Sequence, residues 1–304
     1  MNVIENYELA VAWCWCYDDH FIRRLRLACT EEKIRLLEIT HSNLEESVAR
    51  LSSGKIRPDL FLDRASDMDE YFYQLNEILS SKNCYIINRR AEWASDKATM
   101  TLEFLSHGIH IPYTIILPPL SEIPDIKDID FSMITKPMVV KPATGGGGEG
   151  VYLDVNGIDE LQRHRNEYPD DKYLVQEKII PRVLDGKAGW FRTFFAFGDV
   201  MVCRQMDAPR SLRLIGSGDI EASLYSRITE QAIAISRVCG LDLFSTEIAL
   251  TEADDLIAID HVNDQCDYRT YPEHSDGVPS EIVDFVCGKI ASFAGSYSEN
   301  YKSD

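Results

Sequence analysis

Residues 8–17 read ELAVAWCWCY, an apolar run of β-prone residues, and the period then changes, with Phe21, Ile22, Leu25 and Leu27 recurring at helical spacing over 19–33. The unit repeats. IRLLEIT (34–40) reads as a strand and Leu44–Leu51 as a helix, PDLFLDRAS (58–66) as a strand and Met68–Leu79 as a helix, and CYIIN (84–88) as a further strand. Such alternation predicts a parallel sheet covered by helices, and ligands of these sheets bind beyond the carboxyl ends of the strands. Asp63, Arg64 and Ser66, which end the third strand, therefore stand next to a crevice.

After residue 88 the pattern shifts to a helix over Trp93–Ser106, then GIHIPYTIILP, an acidic Pro-rich loop and the strand MVVK (138–141). From Tyr173 onward come the β-rich stretches YLVQEKII and WFRTFFAFGDVMVCRQM and a long helix over 223–238. Two strands, FSTEIAL and DLIAIDHVN, follow across an acidic turn, then a helix near 279–295 and a polar tail expected to fray. The shifts divide the chain into an N-terminal α/β lobe (1–88), a small lobe with a glycine-rich lid (89–172) and a larger C-terminal lobe (173–304).

Hydrophobic residues make up 45% of the 304 positions and charged ones 27%, which is enough to bury a core and excludes a disordered or fibrous chain. Thirty-one Lys and Arg against 50 Asp and Glu leave a net charge of −19, which repels nucleic-acid backbones and acidic polymers but permits a local basic pocket. No run of 18 apolar residues is present and the first residues lack a signal-peptide pattern, so a cytoplasmic protein without a membrane segment is expected. The eight Cys stand without paired CxxC spacing and read as reduced, mostly buried thiols.

Candidate chemistry is densest in MVVKPATGGGGEGVYLDV. Glycines let backbone amides close on phosphate oxygens, and Lys141 adds a compact cation. Gly145, Gly147 and Gly150 formally fit GxGxxG, yet a strand-like VYLDV follows where the dinucleotide motif needs a helix, and no GK[ST] follows for a P-loop. A mobile hairpin tip is the alternative for the glycines alone. In LVQEKII, Glu177, Lys178 and Ile179 can offer backbone groups and a carboxylate to an adenine edge. Glu247, Asp260 and Asn263 lie at the ends of neighbouring strands and are hard oxygen ligands of the kind that hold magnesium between protein and phosphates.

In this order, Asp96–Lys97 opening a helix, GIHIPYT, VVKP with its glycines, LVQEKI and the late acid, acid and Asn resemble the ATP-grasp superfamily over roughly residues 56–270. DRAS, IINRR and SDKATM resemble in particular the glutamate ligases that act on ribosomal proteins. The resemblance implies ATP and Mg2+ as cofactors, with Lys97 and Lys141 on the phosphates and Gly145, Gly146, Gly147 and Gly148 as the closing loop. It further implies Glu177, Lys178 and Ile179 at adenine, Glu247, Asp260 and Asn263 on one or two magnesium ions, and Arg204, Arg210 or Arg213 on the phosphoryl group in flight. Two positions depart from the pattern. Asp260 and Asn263 are three apart where relatives have two, which places His261 at the usual acid if Asn263 is aligned and asks for a one-residue bulge if Asp260 is; Asp264 is a spare ligand. Trp190 stands where relatives carry a ribose-binding acid, and Asp185 is the substitute candidate.

The implied activity is a carboxylate–amine ligase that makes an acyl phosphate and then an amide bond, releasing ADP and phosphate by positioning and charge neutralisation. Arg64, with Ser66 beside it, and Arg269 are the candidates for holding substrate, an amino acid or peptide. A kinase on the same fold and a non-catalytic ATP-binding protein are the alternatives. Relatives are often dimers or tetramers, so a homo-oligomer is possible, although no stretch marks an interface.

Overall fold

The computed structural model describes residues 4–89, 96–206 and 211–301. Its first sheet joins β1 (Glu5–Trp13), β2 (Leu36–Ile39), β3 (Ile56–Arg64) and β4 (Tyr85–Ile87) in the order β2-β1-β3-β4, all parallel. Leu9 to Ala12 of the central β1 are fully buried because helices cover both faces. The helices α1 (Asp19–Glu31), α2 (Leu44–Ser52) and α3 (Tyr73–Ser81) supply the crossovers. The last starts later than Met68, because the Asp69 side chain accepts from the Tyr71 amide and caps a separate 3-10 turn, Glu70–Phe72.

A second sheet joins β5 (Thr114–Leu117), β6 (Met138–Pro142), β7 (Tyr152–Val155) and β8 (Tyr173–Glu177) in the antiparallel order β5-β8-β6-β7. The sequence boundary at 172/173 falls just before β8, whose hydrogen bonds place it in the middle of this sheet. Helix α4 (Lys97–Ser106) begins after its cap Asp96, which accepts from the Ala98 amide; the expected start at Trp93 lies outside the described residues. Helix α5 (Ile158–Arg165), absent from the sequence reading, buries little more than Leu161 and Arg165 and so shows no apolar stripe.

A hairpin of β9 (Val183–Leu184) and β10 (Lys187–Ala188) leads into the third sheet. Its strands β11 (Trp190–Ala196), β12 (Asp199–Gln205), β13 (Leu212–Ile215), β14 (Leu243–Leu250) and β15 (Leu256–Ala258) run in the order β13-β12-β11-β14-β15. Opposed residues of an antiparallel ladder share a face. Phe191, Val202 and Ile248 therefore turn together toward α6 (Ala222–Cys239), while Trp190, Arg192, Phe194, Ser245 and Glu247 occupy the other face.

The far end of that second face packs with the first sheet. Phe194, Ala196, Cys203 and Leu243 share one core with Leu9, Val11, Leu60 and the stripes of α1 and α7 (Ser280–Tyr301). Ile282, Val286, Ile290 and Ala294 of α7 recur at helical spacing and are sealed against α1. The segment expected to fray is helical to Tyr301, since Ser298 is buried and Tyr297 packs on Tyr85 and Phe293. Among the described residues no helix is long and apolar enough to cross a membrane.

Candidate functional site

The near end of the same face, with Trp190, Arg192 and Glu247, looks across a cleft at the second sheet. Lys141 on β6 reaches over it from a buried position, with Nζ 3.8 Å from Asp260 Oδ1 and 3.5 Å from the Ile259 carbonyl. Burial pushes the Lys141 ammonium down, while Asp260 and Glu247 hold it up in part. Lys97 arrives on the first turn of α4, whose start is tied to the end of β6 by the Lys97 amide donating to the Ala143 carbonyl at 2.8 Å. Its Nζ donates to the carbonyls of Thr144 (3.2 Å) and Gly145. Burial lowers its pKa as well, opposed by Asp260 and reinforced by Lys141.

Glu247 sits opposite Arg192 in the ladder, and its carboxylate accepts from Trp190 Nε1 at 2.9 Å. Burial raises its pKa above the ordinary value, with Arg192 opposing and Asp260 adding to the rise. Trp190 thus holds a carboxylate at the place where the resemblance asked for a ribose-binding acid. Arg192 also donates to Ser245 Oγ at 3.0 and 3.3 Å. Sequence reasoning missed Arg192 as a site residue, although it is the one charged residue in the apolar run WFRTFFA; its direct pairing with Glu247 puts the two on one face.

Asp260 and Asn263 lie on a bulge larger than expected. The β14–β15 ladder pairs Ile248 with Ala258, and the Ile259 amide continues it to the Glu247 carbonyl. Two residues further along β14, Ser245 pairs with Asn263, so the partner strand carries two extra residues in place of one. Thr246 Oγ1 ties the bulge down by donating to the Asp260 carbonyl at 3.0 Å. The bulge turns Asp260 to Lys141 while sending the His261 ring against α4, stacked on Phe104 and 2.8 Å from Thr101 Oγ1. Desolvation by the surrounding protein pushes the half-exposed Asp260 carboxyl up, but Lys141, the His261 backbone amide, which donates to Oδ1 at 3.0 Å, and Lys97 together hold it below its usual range. Burial, with Lys141 and Lys97, drives the His261 imidazolium down to about 3, so the ring is neutral and does not act as a base toward bulk water.

The glycine loop spans β6 to β7. Both of its ends are fixed: Thr144 donates twice to Asp171, and Gly150 (φ 70°) is so close to Tyr168 and Pro142 that a Cβ there would lie 2.9–3.0 Å from them. Between these anchors Gly145, Gly146 and Gly147 have open space where side chains would project, and Gly145, Gly147 and Gly148 adopt positive φ. Glu177 lies opposite Met138, three residues from Lys141 along β6, or about 10 Å along the sheet. Its carboxylate accepts from the Tyr113 amide at 2.8 Å, Lys178 pairs with Asp154 at 2.6 Å, and Ile179 is half-buried.

Other sequence candidates fall elsewhere. Arg204 pairs with Phe191 and Arg213 with Arg204, so both lie on the α6 face, away from Glu247. Arg204 clamps the hairpin through the carbonyls of Leu184, Lys187 and Ala188, and Arg213 pairs with Asp219. Arg210 lies outside the described residues. Asp185, at the hairpin tip with φ 49°, lines a cavity of about 240 Å3 with Leu224, Arg227 and Asp254 on the α6 side.

Arg64 is buried between the rings of Phe21 and Tyr268 and holds Asp18 with two hydrogen bonds of 2.6 and 2.9 Å; its carboxylate partner is already the protein's own. Ser66 donates to Asp63 and closes a turn. Arg269 is paired with Asp267 and Asp276 over the Tyr17 ring.

Among the described residues, no three of His, Cys, Asp and Glu form a ready cage for a metal. Glu247 and Asp260 instead make a partial oxygen site facing two ammonium groups, which suits an ion that completes its shell with phosphate oxygens.

No family model matches the sequence, and no curated protein matches it. Solved structures do. The chain is similar to the ATP-grasp ligase PsnB complexed with minimal precursor, Mg and ADP, at 12% identity and a TM-score of 0.64 over 96% of this chain and 98% of that one. It is similar to the D-alanine–D-alanine ligase of Bacillus anthracis complexed with ATP, at 14% identity and 0.65 over 98% and 99%. A RimK domain protein of ATP-grasp type from Sphaerobacter thermophilus matches at 19% identity and 0.62 over 94% and 99%. The chain has the ATP-grasp fold.

Proposed function

We propose that the chain is an ATP-dependent carboxylate–amine ligase, with magnesium as the cation that accompanies the nucleotide. The observation that carries this reading is the convergence of Lys97, Lys141, Glu247 and Asp260 on one cleft, with a glycine loop anchored at both ends at its mouth. Adenine would lie at Glu177–Ile179 and the phosphates at Lys141, since the strand separation of about 10 Å between these points suits an extended nucleotide. The fold is shared with ligases that bind ATP, ADP and, in PsnB, a precursor peptide.

In the first step a substrate carboxylate oxygen attacks the γ-phosphorus and the bond to the ADP oxygen breaks. Lys97 and Lys141 exchange the carbonyls and the Asp260 carboxylate that hold them for phosphate oxygens when the nucleotide binds, so the charge that moves in the reaction is met by cations then in place. In the second step an amine attacks the acyl carbon, the bond to phosphate breaks, and the leaving phosphate takes up the proton that the amine loses. Glu247, Asp260 and Asn263 would hold magnesium, which when bound neutralises the phosphate oxygens. Arg192, the strand guanidinium on the face of Glu247, stands to stabilise the developing oxyanion, the role that Arg204 and Arg213 are too far round the sheet to fill. The substrates are an amino acid or a peptide, and the cytoplasm is the compartment that supplies ATP to such a ligase.

Incubation with ATP, Mg2+ and pooled amino acids and short peptides tests this. ADP and free phosphate in equal amounts, with a product one water lighter than its two parts, are expected. A phosphorylated product makes the protein a kinase, and AMP rules out the acyl-phosphate route. Lys141→Ala should lower turnover by about 100-fold or more with the fold retained, because a charge aimed at the transferred group is lost.

A further inference from the structure

His261 has a buried nitrogen that no group among the described residues satisfies. The residue is 7% exposed, and Nδ1 has no hydrogen-bond partner while being sealed from solvent. Its tautomer follows from the neighbouring hydrogen bonds. Thr101 Oγ1 lies 2.7 Å from the Lys97 carbonyl, which can only accept, and 2.8 Å from His261 Nε2; with the hydroxyl proton on the carbonyl, Nε2–H donates to Oγ1. Nδ1 of the neutral ring therefore carries a bare lone pair. A buried polar atom left unpaired costs about 1–3 kcal/mol, a cost that a bound ion at this place would relieve.

This nitrogen lies beside the carboxylate of the cleft. Nδ1 lies 4.0 Å from Asp260 Oδ1, the same oxygen that Lys141 holds at 3.8 Å. Two ligand bonds of ordinary length to one first-row ion span up to about 4.2 Å, so the nitrogen and oxygen fit either side of a single cation. The two-residue bulge is what brings both atoms to this place, since a regular ladder would put one of the pair on each face of the sheet.

We propose that His261 Nδ1 and Asp260 together ligate the divalent cation of the nucleotide complex, making a mixed imidazole–carboxylate site that favours Mn2+ and Co2+ relative to Mg2+ more strongly than an all-oxygen site does. The inference rests on the nucleotide reading of the cleft. Magnesium favours oxygen and surrenders water reluctantly, whereas the first-row transition ions accept imidazole readily. The arriving phosphates draw Lys141 away from Asp260 Oδ1, which leaves that oxygen with the His261 backbone amide, at 3.0 Å, and a second lone pair for the cation. Thr101 fixes the ring by its other nitrogen, the usual way in which a ligating histidine is oriented.

The test is pulsed EPR of the whole protein with Mn2+ and a non-hydrolysable ATP analogue, prepared once at natural abundance and once with 15N-labelled histidine. A histidine nitrogen coupling that changes isotope with the label and disappears in His261→Gln is expected. Competition binding should show the Mn2+ over Mg2+ preference of the nucleotide complex falling roughly tenfold or more in the same variant. A nucleotide-bound Mn2+ signal without histidine coupling, or a coupling that survives in His261→Gln, overturns the proposal and leaves the nucleotide reading standing. Absence of nucleotide-dependent Mn2+ binding overturns both. Should His261→Gln fail to fold, the isotope exchange in the unmutated protein decides.

Discussion

Arg64→Met separates a structural cation from a substrate-binding one. The guanidinium is 5% exposed, holds both oxygens of Asp18, donates to the Cys266 carbonyl at 2.9 Å and lies 5.1 and 5.2 Å from the ring centroids of Phe21 and Tyr268. Methionine fills much of the same space but leaves the fully buried Asp18 carboxylate without a cation, for which the expected cost is about 3–5 kcal/mol. With an unfolding entropy proportional to chain length, the melting temperature of the 304-residue chain falls by about 5–8 °C. The reverse combination is the control. Asp18→Leu with Arg64→Met removes both charges, and the double variant should be more stable than either single one by about 2 kcal/mol or more. Tryptophan fluorescence in urea reports the transition, since Trp13 packs against the core that holds Arg64's neighbours Phe21 and Tyr268. A wild-type melting point in Arg64→Met, joined to a raised KM for a carboxylate substrate, would refute the structural assignment.

Other outcomes follow from the same structure. Arg192→Met should reduce turnover by about 100-fold or more at little cost in stability, whereas Arg204→Met, which frees three hairpin carbonyls, should lower the denaturation midpoint and leave turnover per folded molecule within a few-fold; equal kinetic losses would contradict the facing of the strands. In native protein at pH 8 a thiol reagent should modify exposed Cys16 first and leave Cys29, Cys84, Cys203, Cys239, Cys266 and Cys287 intact by mass spectrometry until the chain unfolds. Burial pushes Cys29, Cys84 and Cys203 to about 12 and Cys239 to about 11, so their contribution to stability is complete below pH 9 and is lost as the pH rises toward those values. Each such thiol removes up to about 1.4 kcal/mol per pH unit, readable as an alkaline shift of the urea midpoint. Gly150→Ala should destabilise by about 1–3 kcal/mol and weaken nucleotide binding in calorimetry, because a Cβ would press on Tyr168 and Pro142 at a positive φ; unchanged affinity and stability would mean that this end of the loop is not anchored.

The first sheet was legible because each of its strands is an apolar run between helical periods, and burial on both faces leaves that signal undiluted. What escaped was long-range. Nothing in SYSENYKSD says that Tyr297 will meet Tyr85, a contact some 210 positions back along the chain, and so a helical end reads as a frayed tail. Helix α5 escaped for the opposite reason, since Leu161 and Arg165 alone are buried and a polar helix carries no period to count. Arg165 is itself sequestered by the carbonyls of Pro118 and Ile123, a tertiary bond that composition conceals.

In the candidate site, residue type and order singled out Lys97, Lys141, Glu247 and Asp260, which the structure brings near one another, while direction had to come from the ladder. Arg192 and Arg204 have the same chemistry and stand on adjacent strands, yet a single step of period 2 separates a guanidinium beside Glu247 from one buried against a hairpin. Direct pairing decides between them, and pairing is a property of two strands, invisible in either alone. The bulge makes the same point from the other side. A one-residue irregularity would exchange the faces of Asp260 and Asn263, whereas two extra residues restore the parity on the far side, so that Asn263 rejoins β14 opposite Ser245 on the face of Glu247. The residues between are freed from the alternation, which lets Asp260 reach Lys141 while the His261 ring is held by Thr101 on α4. The irregular spacing that departs in sequence from the metal pattern is thus, in three dimensions, the step by which Asp260 turns to Lys141 before Asn263 rejoins the ladder.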